Sequence, residues 1–197
     1  GIVSVFRAQV SSHMTQQTVV DMQQNIRGAM YIMQREIRMA GYDPTGNSGA
    51  TILDARDTVL EFQSDNNGDG NFTGGDDPLE RIRYAIANGD LIREVDNSGT
   101  LAPLAENIDA INFVYLDGDD PPNVIATPVA NPVDIRAVQI TIVARSGETL
   151  PGLFNWGNDR RIYRNQQGTV ILNKAADPDS FRRRVLTAEV KCRNIGL

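Results

Sequence analysis

The chain has 197 residues, of which 41% are hydrophobic and 22% are charged, and this is enough apolar material for the core of a globular domain. Its 25 acidic and 19 basic side chains give a net charge of −6. This balance argues against nucleic acid as a partner, because binding the phosphate backbone requires an excess of cations. The single cysteine, Cys192, excludes an internal disulfide, and the single histidine, His13, argues against histidine-based catalysis.

A long helix is predicted over residues 1–40. Between Val3 and Ala40 the sequence has no proline and only one glycine, and apolar residues recur every three or four positions. Gly41 and Pro44 follow as a helix stop. The 38 residues from Val3 to Ala40 would extend for about 57 Å as a helix, more than the diameter of a domain of this size, so one end must protrude. We expect its second half, rich in methionine and isoleucine, to pack on a sheet.

The first half of this helix has an unusual composition, with no acidic or basic residue between Ala8 and Val20. A helix that faces water normally carries charges on its exposed side. Its composition therefore favours a position among other helices in an assembly. An ordinary solvated surface is the alternative interpretation.

After Gly41 the apolar period changes from 3.6 to 2, which predicts antiparallel strands. Asn88-Gly89, between two such runs, is a strong hairpin signal. We expect an α+β fold with the helix laid across an antiparallel β-sheet, as a single domain over 1–197 in which 41–197 form a β head with long loops. The predicted strands lie at 58–63, 81–87, 91–95, 108–116, 135–144 and 185–193.

The segment DNNGDGNFTGGD, residues 65–76, matches the spacing of a calcium-binding loop. Such a loop places oxygen ligands at positions 1, 3 and 5, a glycine at 6, a carbonyl at 7 and a carboxylate at 12. The last position is aspartate instead of the usual glutamate, with Asp77 and Glu80 as substitutes. The alternative is a flexible Asn/Gly-rich turn without metal. The predicted ligands of a structural Ca²⁺ are Asp65, Asn67, Asp69, Asn71, Asp76 and Asp77.

Several stretches of the chain resemble the minor pilins of type IV pili, the PilW type most closely, and their relatives, the GspJ-type pseudopilins of type II secretion. The most specific of them is REIRMAGYDP at the predicted helix end, residues 35–44. The others are SVFRAQ (4–9), MQQNI (22–26), LAPLAENIDAINFVYL (101–116), IRAVQITIVAR (135–145) and RRRVLTAEVKCRN (182–194).

This resemblance implies a pilin-like fold and a structural minor pilin that packs into or caps a pilus, priming assembly or forming its tip. It implies an apolar helical segment upstream of Gly1, cut from a leader by a prepilin peptidase, that anchors the protein in the inner membrane with a periplasmic head. Other major and minor pilins are the implied partners, and the acidic loop 65–77 and the basic residues 182–184 are candidates for head contacts. The helix residues expected to pack against the helices of other pilins are Phe6, Val10, Met14 and Met22.

Two alternative functions follow from the same residues, and a third, an enzyme, is not favoured. One is a pseudopilin of a type II secretion system, whose filament stays in the periplasm. Another is a free calcium-stabilised periplasmic binding or adhesin module that recognises a ligand through loops 117–134 and 146–168. An enzyme is not expected, because His13 has no nucleophile motif near it and Cys192 lies on an apolar strand. As it stands, the chain is expected to be soluble, since no stretch approaches the roughly 18 to 20 apolar residues that span a bilayer.

Overall fold

The structure, a computed structural model, describes residues 2–72, 79–96, 98–147 and 158–196, with side chains described from Gln17 onward. Within these ranges the chain forms one α-helix, a short 3₁₀ turn at Pro132–Asp134 and eleven strands. The helix α1 spans Ile2–Ile37, three residues shorter than predicted at its C-terminal end. The strands are β1 (Ile52–Ala55), β2 (Leu60–Gln63), β3 (Arg81–Ala87), β4 (Asp90–Val95), β5 (Ala102–Ala105), β6 (Ile108–Leu116), β7 (Val124–Ile125), β8 (Ala137–Arg145), β9 (Ile162–Arg164), β10 (Val170–Asn173) and β11 (Arg183–Lys191).

The strands form two larger antiparallel sheets and a small ribbon. One sheet has the order β1-β2-β3-β4-β5, the second has the order β11-β8-β6-β7, and β9 pairs with β10. The predicted α+β fold with a helix packed on antiparallel strands is confirmed, but the strands are divided between two main sheets instead of forming one. Alternation of apolar residues identifies a strand, and it does not show which strands share a sheet.

The helix packs across the junction between the two main sheets. Its neighbours are β11 and β8 of the second sheet and β5 of the first. Its buried face repeats every three or four residues, as the sequence predicts, and joins apolar residues of both sheets in one cluster. Removing this stripe from water is what holds the helix on the head. The stripe consists of Met22, Ile26, Ala29, Met30, Met33 and Ile37.

Just beyond the helix, Gly41 closely approaches the C-terminal segment. Gly41 has φ +76°, and a Cβ there would lie 2.5 Å from Ile195 Cδ1 and 3.0 Å from the carbonyl oxygen of Asn194. Only glycine fits both the left-handed backbone and the space. The Gly41 N–H donates to the carbonyl oxygen of Gln63, at the end of β2, at 2.8 Å. The predicted helix stop is therefore also the place where the helix joins the head.

The predicted hairpin at Asn88-Gly89 is confirmed. Both residues have positive φ, +54° and +83°, and Ala87 pairs with Asp90 across the turn. The last strand begins at Arg183, two residues earlier than predicted, and pairs in unbroken register with β8 through Lys191. Arg183 is therefore a buried strand residue, 3% exposed, and no longer a candidate for contacts between heads.

Candidate functional site

A buried polar cluster fixes the helix to the first sheet. Glu36 of α1 accepts hydrogen bonds from Arg93 of β4 at two points, Nε to Oε2 and Nη2 to Oε1, both at 2.9 Å. Tyr84 of β3 donates its hydroxyl to Glu36 Oε2. Because Tyr84 and Arg93 are cross-strand partners in one register, the carboxylate is held from two adjacent strands.

The electrostatics of this cluster keep Tyr84 and Arg93 protonated. Burial raises the pKa of Tyr84, and the neighbouring negative charge of Glu36 raises it further, so its hydroxyl remains a donor. Burial works against the positive charge of Arg93, but the ion pair with Glu36 outweighs it and raises the pKa of Arg93. The two-point geometry specifies both the depth and the rotation of the helix.

A second ion network, around Arg183, joins the β9-β10 ribbon to the second sheet. The Arg183 guanidinium donates to Asp109 at 2.5 Å, to Asp159 at 3.2 Å and to Asp179 at 2.6 Å through both terminal nitrogens. Tyr163 of β9 donates its hydroxyl to Asp159 at 2.5 Å. Each of these acids therefore has a cationic or hydroxyl donor, which is a structural arrangement.

Two acids of this network, Asp159 and Asp179, are held ionised. Burial opposes the charge of Asp159, but hydrogen bonds from Arg161 and Tyr163 outweigh it and lower its pKa to about 2. The hydrogen bonds from Arg183 are the largest effect on Asp179 and lower its pKa well below the usual range. Such shifts stabilise the folded state at neutral pH.

The acidic loop after β2 is folded around the side chain of Asp65. This residue is fully buried, and its carboxylate accepts hydrogen bonds from the N–H of Gly68 at 2.6 Å and of Gly70 at 3.1 Å. Two further turns follow. In the first, Asn67 Oδ1 accepts a hydrogen bond from the Asp69 N–H at 2.9 Å, and in the second, Asp69 Oδ1 accepts one from the Asn71 N–H at 2.8 Å. Successive turns of this kind bring alternate side-chain oxygens to one side of the loop.

Glu80, which precedes β3, reaches into the same loop. Its Oε1 accepts hydrogen bonds from the N–H groups of Asn66 at 2.7 Å and Asn67 at 3.1 Å. Its Oε2 is buried and has no hydrogen-bond partner among the described residues. One carboxylate oxygen from each of Asp65, Asp69 and Glu80 lies within 4.8 Å of the other two.

Of the predicted metal ligands, Asp65, Asn67, Asp69 and Asn71 lie in this loop, whereas Asp76 and Asp77 are outside the described residues. The structure brings in Glu80, which the spacing suggests only as a substitute. The carboxylate of Asp96 places it there by accepting the N–H groups of residues 79, 80 and 81 at 3.1 to 3.3 Å.

The predicted assembly residues divide into two groups. Phe6, Val10 and Met14 belong to α1, but their side chains are outside the described set. Met22 is 6% exposed and belongs to the core that the helix shares with its own head. Its contact with other subunits stays a prediction. Cys192 is buried as expected, and burial raises the pKa of its thiol to about 12.

Sequence reasoning missed the Glu36–Tyr84–Arg93 cluster and the Arg183 network. A usable signal existed for Glu36, which lies three residues after Met33 and four before Ala40, in register with the buried stripe. A charged residue in such a position needs a buried partner. The identity of that partner depends on strand pairing that the sequence does not display.

No protein-family model matches the chain, and no curated protein matches it. Among solved structures, the chain is similar to the type IV-like pilin TTHA1219 from Thermus thermophilus, with a TM-score of 0.51 and 16% identity. The match covers 89% of this chain and 98% of that one. It defines the class of the fold, which is pilin-like: a long N-terminal helix packed on antiparallel sheets. Within the described residues, no helix combines the length and apolar character needed to span a bilayer.

Proposed function

We propose that the chain is a structural subunit of a type IV pilus-like filament, in the role of a minor pilin of the PilW type that primes assembly or forms the tip. The pilin-like fold supports a mechanical role, which requires no catalytic group. The observation that carries the proposal is the length and composition of α1 upstream of the head.

Twenty residues of helix, Ile2–Asp21, precede Met22, the first buried residue among those whose side chains are described. They correspond to about 30 Å of helix, more than half its length. The stretch from Ala8 to Val20 has no charge to desolvate, so it can enter a helical bundle at low cost. Phe6, Val10 and Met14 are the apolar residues of the upstream helix that we propose for contacts with neighbouring helices.

The Glu36–Tyr84–Arg93 cluster gives this helix a fixed relation to the head. A subunit that packs through a projecting helix must hold its head at a defined angle, or the heads of neighbours collide. Two hydrogen bonds from Arg93 and one from Tyr84 meet that requirement at the base of the helix. The same assembly would fit a GspJ-type pseudopilus, and the two differ in the machine that builds the filament.

The partners in this proposal are the helices and heads of major and minor pilins. Before assembly, an apolar segment upstream of Gly1 would hold the subunit in the inner membrane with its head in the periplasm. After assembly the head would lie on an extracellular pilus or a periplasmic pseudopilus.

Disulfide crosslinking in the native host tests the proposal. A Val10→Cys variant of the full protein, in a Cys192→Ser background, is paired with cysteine variants along the helix of the major pilin. The matched control is Tyr31→Cys, at a helix position 66% exposed on the head. We expect oxidation to link position 10, and not position 31, to the helix of another subunit in sheared filaments. A protein released as an unlinked monomer, absent from filaments and from the membrane fraction, would contradict the proposal and favour the free binding module.

A further inference from the structure

We propose that the acidic loop and Glu80 form a Ca²⁺ site, with Asp65, Asp69 and Glu80 as carboxylate ligands. This differs from the spacing prediction, which closes the site with Asp76. It does not depend on the proposed function, since the site can be tested on the isolated chain.

The unpartnered oxygen of Glu80 is the observation that points to a ligand. Glu80 is 1% exposed, and its Oε2 has no hydrogen-bond donor among the described residues, whereas its Oε1 has two. A buried carboxylate oxygen without a partner is costly, and native structures rarely retain one. A cation between the three carboxylates would satisfy it.

Repulsion within the cluster favours the same conclusion. Oxygens of Asp65, Asp69 and Glu80 meet within 4.8 Å, and no lysine or arginine nitrogen within 4.0 Å forms a salt bridge with any of them among the described residues. Three carboxylates so close together repel each other when ionised. A divalent cation removes this repulsion and links the three side chains.

The ligand chemistry selects calcium. Oxygens that share one Ca²⁺ at 2.3 to 2.6 Å lie no more than about 5 Å apart, which the 4.8 Å spacing satisfies. The donors are carboxylates, with the amide oxygen of Asn67 in the same loop, and such hard oxygen sets suit Ca²⁺. Mg²⁺ demands a stricter octahedron and retains its water, so an irregular protein loop favours the larger ion.

The position of the loop gives the ion a structural role. The Asp65 N–H donates to the carbonyl oxygen of Tyr42, just beyond the helix, at 2.7 Å. A Cβ on Gly68 would lie 3.4 Å from Pro44 Cγ, so the loop lies against the segment that follows the helix. Glu80 connects the same loop to β3. Bound Ca²⁺ would therefore brace the junction where the helix meets the first sheet.

The test is titration of the metal-free chain with CaCl₂, followed by calorimetry and thermal melting, with MgCl₂ as the competing probe. We expect one Ca²⁺ per chain, with a Kd on the order of 10⁻⁴ M, in the range of extracellular modules. At 10 mM CaCl₂, about 100 times this Kd, the melting temperature should rise by about 8 °C, and by less in MgCl₂.

Three variants make the test specific. Glu80→Gln keeps the shape and the oxygen that accepts two N–H groups but removes the charge, and Asp69→Asn changes an exposed residue whose loss leaves the core intact. Both should weaken calcium binding at least about tenfold. Glu106→Gln, the same change at an exposed glutamate outside the cluster, should leave binding unaltered.

Two results would overturn the site. One is a chain whose melting temperature and titration heat do not respond to 10 mM CaCl₂. The other is calcium binding that both Glu80→Gln and Asp69→Asn leave unchanged. If Glu80→Gln fails to fold, Asp69→Asn decides alone, because its side chain is exposed.

Discussion

Glu36 of the helix and Arg93 of β4, 57 positions apart in the chain, form a two-point ion pair with both contacts at 2.9 Å. The pair lies at the base of a helix whose upstream part extends for about 30 Å before its first described buried residue. A force on the projecting part of this helix would tend to rotate the helix relative to the head. A two-point ion pair resists that rotation better than apolar packing alone.

Replacing Arg93 with alanine should lower the free energy of unfolding by about 3 kcal/mol, because it leaves the Glu36 charge buried without its cation. The corresponding fall in melting temperature is about 9 °C for a chain of this length. Denaturant unfolding followed by circular dichroism measures it. Arg83→Ala is the matched control, since Arg83 makes only longer ion pairs, at 3.7 and 3.9 Å, and should cost under about 1 kcal/mol. Equal losses in the two variants would argue against a special role for the helix contact.

The Arg183 network predicts acid sensitivity. The folded state lowers the pKa of Asp159 to about 2, below its unfolded value of 3.8. The contribution of Asp159 to the free energy of unfolding is therefore complete above about pH 4. That contribution, about 2 kcal/mol, is lost as the pH falls from 4 toward 2. Asp179, whose pKa is also lowered, adds to the same trend.

Unfolding free energies measured between pH 5 and pH 2 check this prediction. Asp159→Asn should be less stable at pH 7 and should lose less stability on acidification. Asp177→Asn, at a carboxylate that is 90% exposed, should keep the wild-type pH dependence. If the free energy of unfolding of Asp159→Asn falls with pH as steeply as that of the wild type, Asp159 is not the source of the acid sensitivity.

Gly41→Ala should be more harmful than the same substitution at Gly46. Both residues have positive φ, +76° and +69°, so alanine costs about 1 to 2 kcal/mol of backbone strain at either. At Gly41 the new Cβ would also lie 2.5 Å from Ile195 Cδ1, whereas nothing lies within 4 Å at Gly46. Thermal melts of the two variants isolate the packing effect as their difference. A Gly46→Ala protein that melts as low as Gly41→Ala would mean that only the backbone matters.

A charge introduced into the upstream helix should block assembly without affecting the head. Val10→Glu interrupts the uncharged stretch, so burying it among other helices would cost several kcal/mol. Gln24→Glu makes a comparable change at an exposed position of the same helix within the head. In native cells, Val10→Glu should be missing from sheared filaments while Gln24→Glu is retained. Both purified chains should melt at the wild-type temperature.

Elements with a long, regular pattern could be predicted from the sequence. The buried stripe of α1, from Met22 to Ile37, follows directly from apolar spacing, and the Asn88-Gly89 turn follows from residues that accept positive φ. Strands β1, β5, β7, β9 and β10 were not predicted. They have only two to four residues each, and their sequences show no clear alternation of apolar residues.

In the candidate sites, residues close together in the sequence could be predicted, whereas residues brought together by strand pairing could not. Asp65 and Asp69 belong to one turn, so their spacing reveals them. Glu80 joins them only because Asp96 and the pairing of β3 with β4 place it beside the loop. Two of the three acidic partners of Arg183 lie 74 and 24 positions upstream of it. Contacts of this kind depend on strand order, which the sequence pattern leaves undetermined.

The native N-terminus decides whether the chain is a filament subunit whose helix continues into an assembly. Mass mapping of the protein from source membranes would establish the polypeptide upstream of Gly1. If the chain is such a subunit, an apolar stretch of roughly 20 residues precedes Gly1 in the native protein. A mature protein that starts at or near Gly1, or after an ordinary secretory leader, would contradict this role.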